Sequence, residues 1–324
     1  MNTIGRIFSI SIFGESHGLG VGIVMDGVPP GISLAEDDFM ADLSRRKSGA
    51  KGTTPRTEPD KPKIISGTWN GFTTGAPLTV FFENTNVRSS DYEKFRDMPR
   101  PGHADFTSGI KYKGFADPRG SGHFSGRITL GLVAAGVVAK KIIFPVDIRA
   151  QILELGGDTN PERAIENISG TGDSIGGIIQ CTATNMPQGL GEPFFGGVEA
   201  TISRLVFSIP AIKGIEFGSG FGAAKMRGIE HNDAWISPEG KTQTNHAGGA
   251  NGGISNGNDL IFRVAVKPTS SISLPQQTTN LKTGEIETLT VEGRHDTCIA
   301  LRVPVILEAA AAIGLADLFL LSKI

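Results

Sequence analysis

Three short stretches of this 324-residue sequence hold side chains suited to moving protons. Gly14-Glu15-Ser16-His17-Gly18 fits the GxSxG pattern of a nucleophile elbow, which needs a strand, a sharp turn carrying the serine, and then a helix. The segment that follows, LGVGIVMDGVPP, is glycine-rich and strand-like with no sustained run of helix formers, so the serine-hydrolase reading fails on context. What survives is His17 on a turn between two strands, flanked by glycines that leave room for a ligand. Arg100-Pro101-Gly102-His103-Ala104-Asp105 sets a guanidinium near an imidazole, and Arg294-His295-Asp296 does so again with a carboxylate beside it. Histidine titrates nearest to neutral pH, so two histidines and a carboxylate make a proton-transfer set; the same residues also read as surface ion pairs. The remaining histidines, His123, His231 and His246, show no HxH or HxxxH spacing, which argues against a metal site.

Anion binding is the second chemistry. Seven basic residues (Arg45, Arg46, Lys47, Lys51, Arg56, Lys61, Lys63) stand between positions 45 and 63 against Glu58 and Asp60, in a chain whose net charge is −2. Such a loop suits a phosphorylated or multiply anionic ligand, because arginine forks grip phosphate and carboxylate through paired bonds; a solvated loop is the plainer alternative. No aromatic residue is interleaved for base stacking and no global positive field exists, so nucleic acid is not an expected partner. There is no GxGxxG, and Gly240-Lys241-Thr242 lacks the Walker glycine, Trp235 standing in its place, which disfavours both a Rossmann site and a P-loop. Lys267-Pro268-Thr269-Ser270-Ser271, after the strand-like LIFRVAV and the glycine-dense HAGGANGGISNG, offers donors for a phosphate or a polar heterocycle.

These residues need elements to hold them. IGRIFSISIF alternates like a strand, VGIVMDG continues after the turn, and IISGTW and LTVFFEN read as further strands. Residues 34–46 read as a helix with Ser33 as N-cap and Glu36 at capping-box spacing. Residues 128–143 and 304–321 read as helices buried all round, the second opened by a proline. The apolar runs 128–139 and 309–316 fall short of the roughly 20 residues of a membrane span, so no membrane is expected. The N-terminus does not read as a signal peptide, and Cys181 and Cys298 show no disulfide or zinc spacing, so a soluble cytoplasmic protein is expected. Glycine, 44 residues, is about twice its usual share of roughly 7 %, with no collagen period. Part of it repeats: Gly14-Glu15-Ser16 and Val28-Pro29-Pro30-Gly31 recur 158 positions later, and Gly67, Gly71, Gly75 and Leu78 recur 182 later. This suggests two similar strand-rich halves, 1–147 and 170–324, each placing a helix in a shared middle layer of a single domain, 1–324.

Taken in order, TIGRIF, GESHG, DGVPPGI, TTPRTEPDK, ISGTWNGFTTGAP, VRSSDY, RPGHADF, GDSIGG, IPAIKGIEFGSGF, MRGIEHND, KPTSSI and GRHDTC resemble the chorismate synthase family over nearly the whole chain. The resemblance implies an α+β fold in which two antiparallel sheets sandwich helices, and a homotetramer. It implies a carbon–oxygen lyase: anti 1,4-elimination of phosphate from 5-enolpyruvylshikimate 3-phosphate to give chorismate, with reduced FMN and no net redox change. His17 would then protonate the departing phosphate, His103 would stabilise and protonate the reduced flavin, and Asp296 would assist proton removal through the flavin N5. Arg45, Arg46, Lys51, Arg100, Arg127 and Arg294 would hold the substrate anions. FMN would meet Ser125, Pro210, Ala211, Gly252, Lys267, Pro268, Thr269, Ser270, Ser271 and Arg294. Lacking a Rossmann fingerprint, the chain is expected to leave NADPH-dependent flavin reduction to another protein. It departs from the family pattern at GHFSGRIT, where GRSSARET is usual, and at Gly248-Gly249-Ala250-Asn251-Gly252-Gly253, where GGILGG is usual. The altered segment motivates a second reading, a non-catalytic homologue that binds flavin or phosphate.

Overall fold

The computed structural model describes residues 2–54, 58–85, 90–292 and 295–324, so Arg56 and Arg294 lie outside the described residues. In chain order the first half holds β1 (Thr3–Ile4), β2 (Ser9–Gly14), β3 (Gly20–Asp26), α1 (Met40–Arg46), β4 (Lys63–Ser66), β5 (Thr68–Trp69), β6 (Phe72–Thr73), β7 (Leu78–Glu83), α2 (Asp105–Lys111) and α3 (Thr129–Ile142). The second holds β8 (Asp147–Leu155), α4 (Pro161–Ile168), β9 (Gly177–Thr184), α5 (Val198–Val206), β10 (Ile212–Phe217) and α6 (Gly228–His231). It closes with β11 (Ala250–Asn251), β12 (Ile254–Ser255), β13 (Leu260–Val266), β14 (Gln276–Thr279), β15 (Ile286–Leu289) and α7 (Val303–Leu321).

Alternating sequences such as LTVFFE and LIFRVAV bury every second residue, the pattern of an antiparallel strand with one face on the core. They build a five-stranded sheet, β1-β2-β3-β7-β4, and a four-stranded sheet, β10-β13-β9-β8, antiparallel throughout. Between them run α3, packed on β3 and β7, and α7, packed on β8 and β9. The fold is the expected α+β sandwich, its apolar cluster continuous from Ile10 and Phe82 of one sheet through Leu130 and Leu307 to Phe262 of the other. The two helices come into close contact at Gly136, where a Cβ would overlap Ala309, so only glycine allows this contact.

The repeat has a structural counterpart. A shift of 158 carries β3 onto β9 and α1 onto α5, and a shift of 182 carries β5, β6 and β7 onto β11, β12 and β13. Gly67, Gly71 and Gly75 have φ of +88, +79 and +86°, and their counterparts Gly249, Gly253 and Gly257 have +90, +84 and +89°. These positions keep glycine because the same left-handed turns are made twice.

Two expectations need correction. The helix expected over 34–46 begins late: Ser33 is still extended and bridges Phe72, Glu36–Phe39 form a 3₁₀ turn, and only Met40–Arg46 are α-helical. Asp38 rather than Ser33 does the capping, its Oδ2 accepting from the Ala35 N–H at 2.8 Å, while Glu36 Oε1 accepts from the Ile64 N–H at 3.0 Å. The first apolar run lies on the 14-residue α3, but the second extends further than 309–316: Ile299–Leu321, 23 residues, is long and apolar enough to cross a membrane. Its burial between the two sheets accounts for that composition, since a helix covered on every side has no polar face to keep.

Candidate active site

Two adjoining cavities open where the helix N-termini meet the sheet edges. The smaller, about 260 Å³, is walled by Arg46, Lys47, Glu58, Asp60, Arg127, Asp296 and Arg302. The larger, about 870 Å³, is walled by Arg100, His103, Lys213 and residues 267–271. They share Ser16, Tyr92, Ser125, Pro210, Thr269 and His295.

In the smaller cavity Arg46 ends α1, 2 % exposed, its Nε donating to Thr129 Oγ1 and its Nη2 to the Gly126 carbonyl, each at 3.0 Å. Its Nη1 faces Asp60 Oδ2 at 3.6 Å. Arg127, in the turn opening α3, gives Nη1 to Asp60 Oδ1 at 2.7 Å, Nη2 to the Glu83 carbonyl at 3.2 Å and Nε to Asn84 Oδ1. Arg302 gives Nε to the Arg46 carbonyl at 3.0 Å and Nη1 to Asp296 Oδ2 at 3.1 Å, while Asp296 Oδ1 accepts the Thr54 N–H at 2.8 Å. Burial first, then the charges of Arg302 and Arg127, lower Arg46 to about 9, against the pull of Asp60 and Asp296. An arginine so destabilised in its charged form leaves a positive potential that a bound anion would relieve.

In the larger cavity His103 is oriented by Asp105, whose Oδ1 accepts from Nδ1 at 2.6 Å, and Ser121 Oγ lies 3.4 Å from Nε2. Arg100 forks onto the same carboxylate, Nε and Nη2 each at 2.8 Å, and gives Nη1 to Ser271 Oγ at 3.0 Å. Burial pushes the Asp105 carboxyl up, but the hydrogen bonds from Arg100 and His103 outweigh it and hold the group well below the usual carboxylate range. Lys267 Nζ donates to Ser270 Oγ at 2.9 Å and to the Gly102 carbonyl. Burial first, then nearby Lys213, lowers the Lys267 ammonium, so this end of the cavity holds two cations facing each other. Thr269 Oγ1 and His295 Nε2 are buried without a hydrogen-bond partner among the described residues. Burial, aided by the charge of Arg100, pushes the His295 imidazole below its ordinary value. Ala211 holds φ at +74°, a conformation that costs a non-glycine residue energy, while its carbonyl accepts the Lys267 N–H at 2.9 Å.

The expected site residues therefore divide. Arg46, Arg127, Asp296, Arg100, His103, Ser125, Pro210, Ala211 and residues 267–271 share these cavities. His17 lines neither: it sits one layer behind, edge-on to Tyr92 at 5.3 Å, with Gly120 at φ +58° so close that a methyl there would overlap its ring. Three more residues, Arg45, Lys51 and Gly252, are not brought to the cavities. Neighbours on a helix point about 100° apart, so with Arg46 facing the cavity Arg45 points away from it, stays partly exposed and forks onto the buried Glu308, both contacts 2.7 Å. Lys51 pairs with Glu166 at 3.1 Å on the surface, and Gly252 tips the β11–β12 hairpin next to Gly253, which packs on Gly197. Sequence reading gave His295 a place in a proton-transfer set but assigned no role to Asp60, Tyr92, Asp105, Lys213 and Arg302. Two carried a signal: Asp60 is one of two acids in the basic loop, and Asp105 closes the motif that supplied Arg100 and His103.

The family model described as chorismate synthase matches residues 8–320. The chain belongs to the chorismate synthase family. A chorismate synthase of Chitinophaga pinensis is 60% identical over 324 residues, covering 100% of this chain and 98% of its own. That of Pyrococcus abyssi is 44% identical over 348 residues, 99% of this chain and 98% of its own. A crystal structure of a chorismate synthase superposes with a TM-score of 0.75 at 27% identity, covering 98% of this chain and 93% of that one. At the altered GHFSGRIT segment His123 gives this chorismate synthase family member a local bond, its Nδ1 2.8 Å from the Gly14 carbonyl, and Phe124 meets Tyr112 edge-on at 6.1 Å.

Proposed function

We propose that this chain eliminates phosphate from 5-enolpyruvylshikimate 3-phosphate in the anti 1,4 sense to give chorismate, acting as a carbon–oxygen lyase with reduced FMN. The observation that carries the reading is the adjacency of an arginine-walled cavity to a larger one that holds an oriented histidine and buried polar atoms without a partner among the described residues. The larger cavity fits a flavin nucleotide. Thr269 Oγ1 and His295 Nε2 offer buried polar atoms to a heterocycle, and Lys213 with Lys267 offers a cationic end to a phosphate. When bound, a reduced flavin lends electron density to a difficult C–O cleavage and recovers it.

The protein supplies position and proton handling. Arg46, Lys47 and Arg302 would hold the substrate's phosphate and carboxylates, and Arg127, its donors taken up by Asp60, Asn84 and Glu83, fixes the wall behind them. His103, its Nδ1 tied to Asp105, keeps Nε2 as the atom that exchanges a proton with the larger cavity. His17, which lines neither cavity, would reach the departing phosphate with a proton only through a relay past Ser16. Asp296, locked between the Thr54 N–H and Arg302, would accept the ring proton at one of its two oxygens.

Anaerobic incubation with reduced FMN and substrate tests this. Phosphate release well above that of a His103→Ala control is expected; release no faster than the control would leave a non-catalytic ligand-binding homologue.

A further inference from the structure

The smaller cavity contains an acid that an anion site would be expected to exclude. Asp60 is 4 % exposed, lines the cavity, and stands between two buried guanidiniums, 2.7 Å from Arg127 Nη1 and 3.6 Å from Arg46 Nη1. Its backbone is left-handed, φ +48°, so the chain accepts a strained conformation where this carboxylate is placed. Four cations, Arg46, Lys47, Arg127 and Arg302, face three carboxylates, Glu58, Asp60 and Asp296, among the described lining residues. Arg127 has its three donor groups engaged on protein acceptors, whereas among the described residues Arg46 Nη1 makes no hydrogen bond and faces Asp60 at 3.6 Å. Asp60 thus fixes one arginine and only faces the other.

We propose that Asp60 is a positioning residue: a resident counter-ion that anchors Arg127, keeps Arg46 poised in the empty cavity, and limits how tightly the cavity holds its anion. The inference rests on the function proposed above and adds a control on it. A cavity of uncompensated arginines would bind substrate tightly and also retain the phosphate it releases. A fixed carboxylate lowers the affinity for both and leaves the Arg46 edge available.

Inorganic phosphate is the probe, with binding to the purified chain measured by calorimetry. Asp60→Asn preserves size and tolerates the left-handed backbone; it should bind phosphate about tenfold more tightly, the effect of one like charge removed at close range. Asp60→Gly, which meets the positive φ without strain, should shift affinity the same way and serves if the asparagine variant folds poorly. Glu166→Gln, an acid removed from the distant surface pair, should change nothing. The gain must also vanish when Arg46→Gln is added. With substrate, KM and kcat should both fall in Asp60→Asn, whereas a merely structural acid would raise KM on removal. Unchanged or weaker phosphate binding in stably folded Asp60 variants overturns the proposal. If Arg46→Gln alone leaves phosphate binding intact, the cavity is not the anion site and the proposed function falls with it; if Arg46→Gln abolishes binding but Asp60→Asn does not tighten it, only the role of Asp60 falls.

Discussion

At the scale of single residues, the contact between Asp105 and His103 decides which imidazole nitrogen faces the larger cavity. An ionised Asp105 can only accept, so it fixes the proton on Nδ1 and leaves Nε2 for exchange. Asp105→Asn can present its amide to Nδ1 and reverse that tautomer, and kcat should fall about 100-fold with folding retained. A steady-state assay beside a thermal melt checks this; full activity would remove His103 from the mechanism. The sign of the pH effect follows from the depressed carboxyl. The pair is intact above the ordinary aspartate range, near 3.8, and is lost only as pH falls through the lower folded value, so it does not limit activity near neutrality. The motif around His103 was legible because the interacting side chains lie within six positions of one another. Arg45 and Arg46 were not separable in the same way: two adjacent arginines look alike in sequence, and only the helix phase sends one to the cavity and the other to Glu308.

At the scale of elements, Glu308 ties the helical layer together. It lies 1 % exposed on α7, forks onto Arg45 of α1, reaches Lys140 of α3 at 3.1 Å and accepts the Ala150 N–H of β8 at 2.9 Å. Burial pushes its carboxyl up, yet Arg45 and Lys140 outweigh that and hold it below its ordinary value. A carboxyl depressed on folding stabilises above its unfolded value, 4.5, and that contribution is lost as pH falls through the folded value. Glu308→Gln should therefore cost about 2 kcal/mol at pH 7, within the range for hydrogen bonds to a charged group because the partners Arg45 and Lys140 reach solvent, and less at pH 3. Denaturant melts of both proteins at the two pH values measure it, and an equal loss at both would show that shape rather than charge is at stake. The strands and the two buried helices were readable because their periodicity is set by burial. The start of α1 was not, because Ser33 fits the capping rule yet is drawn into an extended bridge with Phe72, a partner 39 positions away.

At the scale of the whole molecule, a five-stranded and a four-stranded antiparallel sheet enclose one helical layer, and the N-terminal residues Thr129 of α3 and Val303 of α7 line the smaller cavity. The first half supplies Arg46, Asp60, His103 and Arg127, and the second supplies Thr269, His295, Asp296 and Arg302. The repeat could be read from glycine spacing because left-handed turns admit few other residues. The cavities could not, since their walls join positions as far apart as Asn2 and Ile299. The central claim is a division of labour: the smaller cavity takes the substrate's anions and the larger takes the flavin. A substrate with a phosphate and two carboxylates carries a charge near −4, and in a chain of net charge −2 its binding depends on the local arginines. Titrating Arg46→Ala separately with substrate and with FMN tests this most directly, with Lys63→Ala, whose side chain pairs with Glu83 on the surface, as reference. Arg46→Ala should lose about 2 to 5 kcal/mol of substrate binding with FMN binding nearly unchanged, and Lys63→Ala should change neither. Equal losses for the two ligands in Arg46→Ala, or none for substrate, would contradict the account.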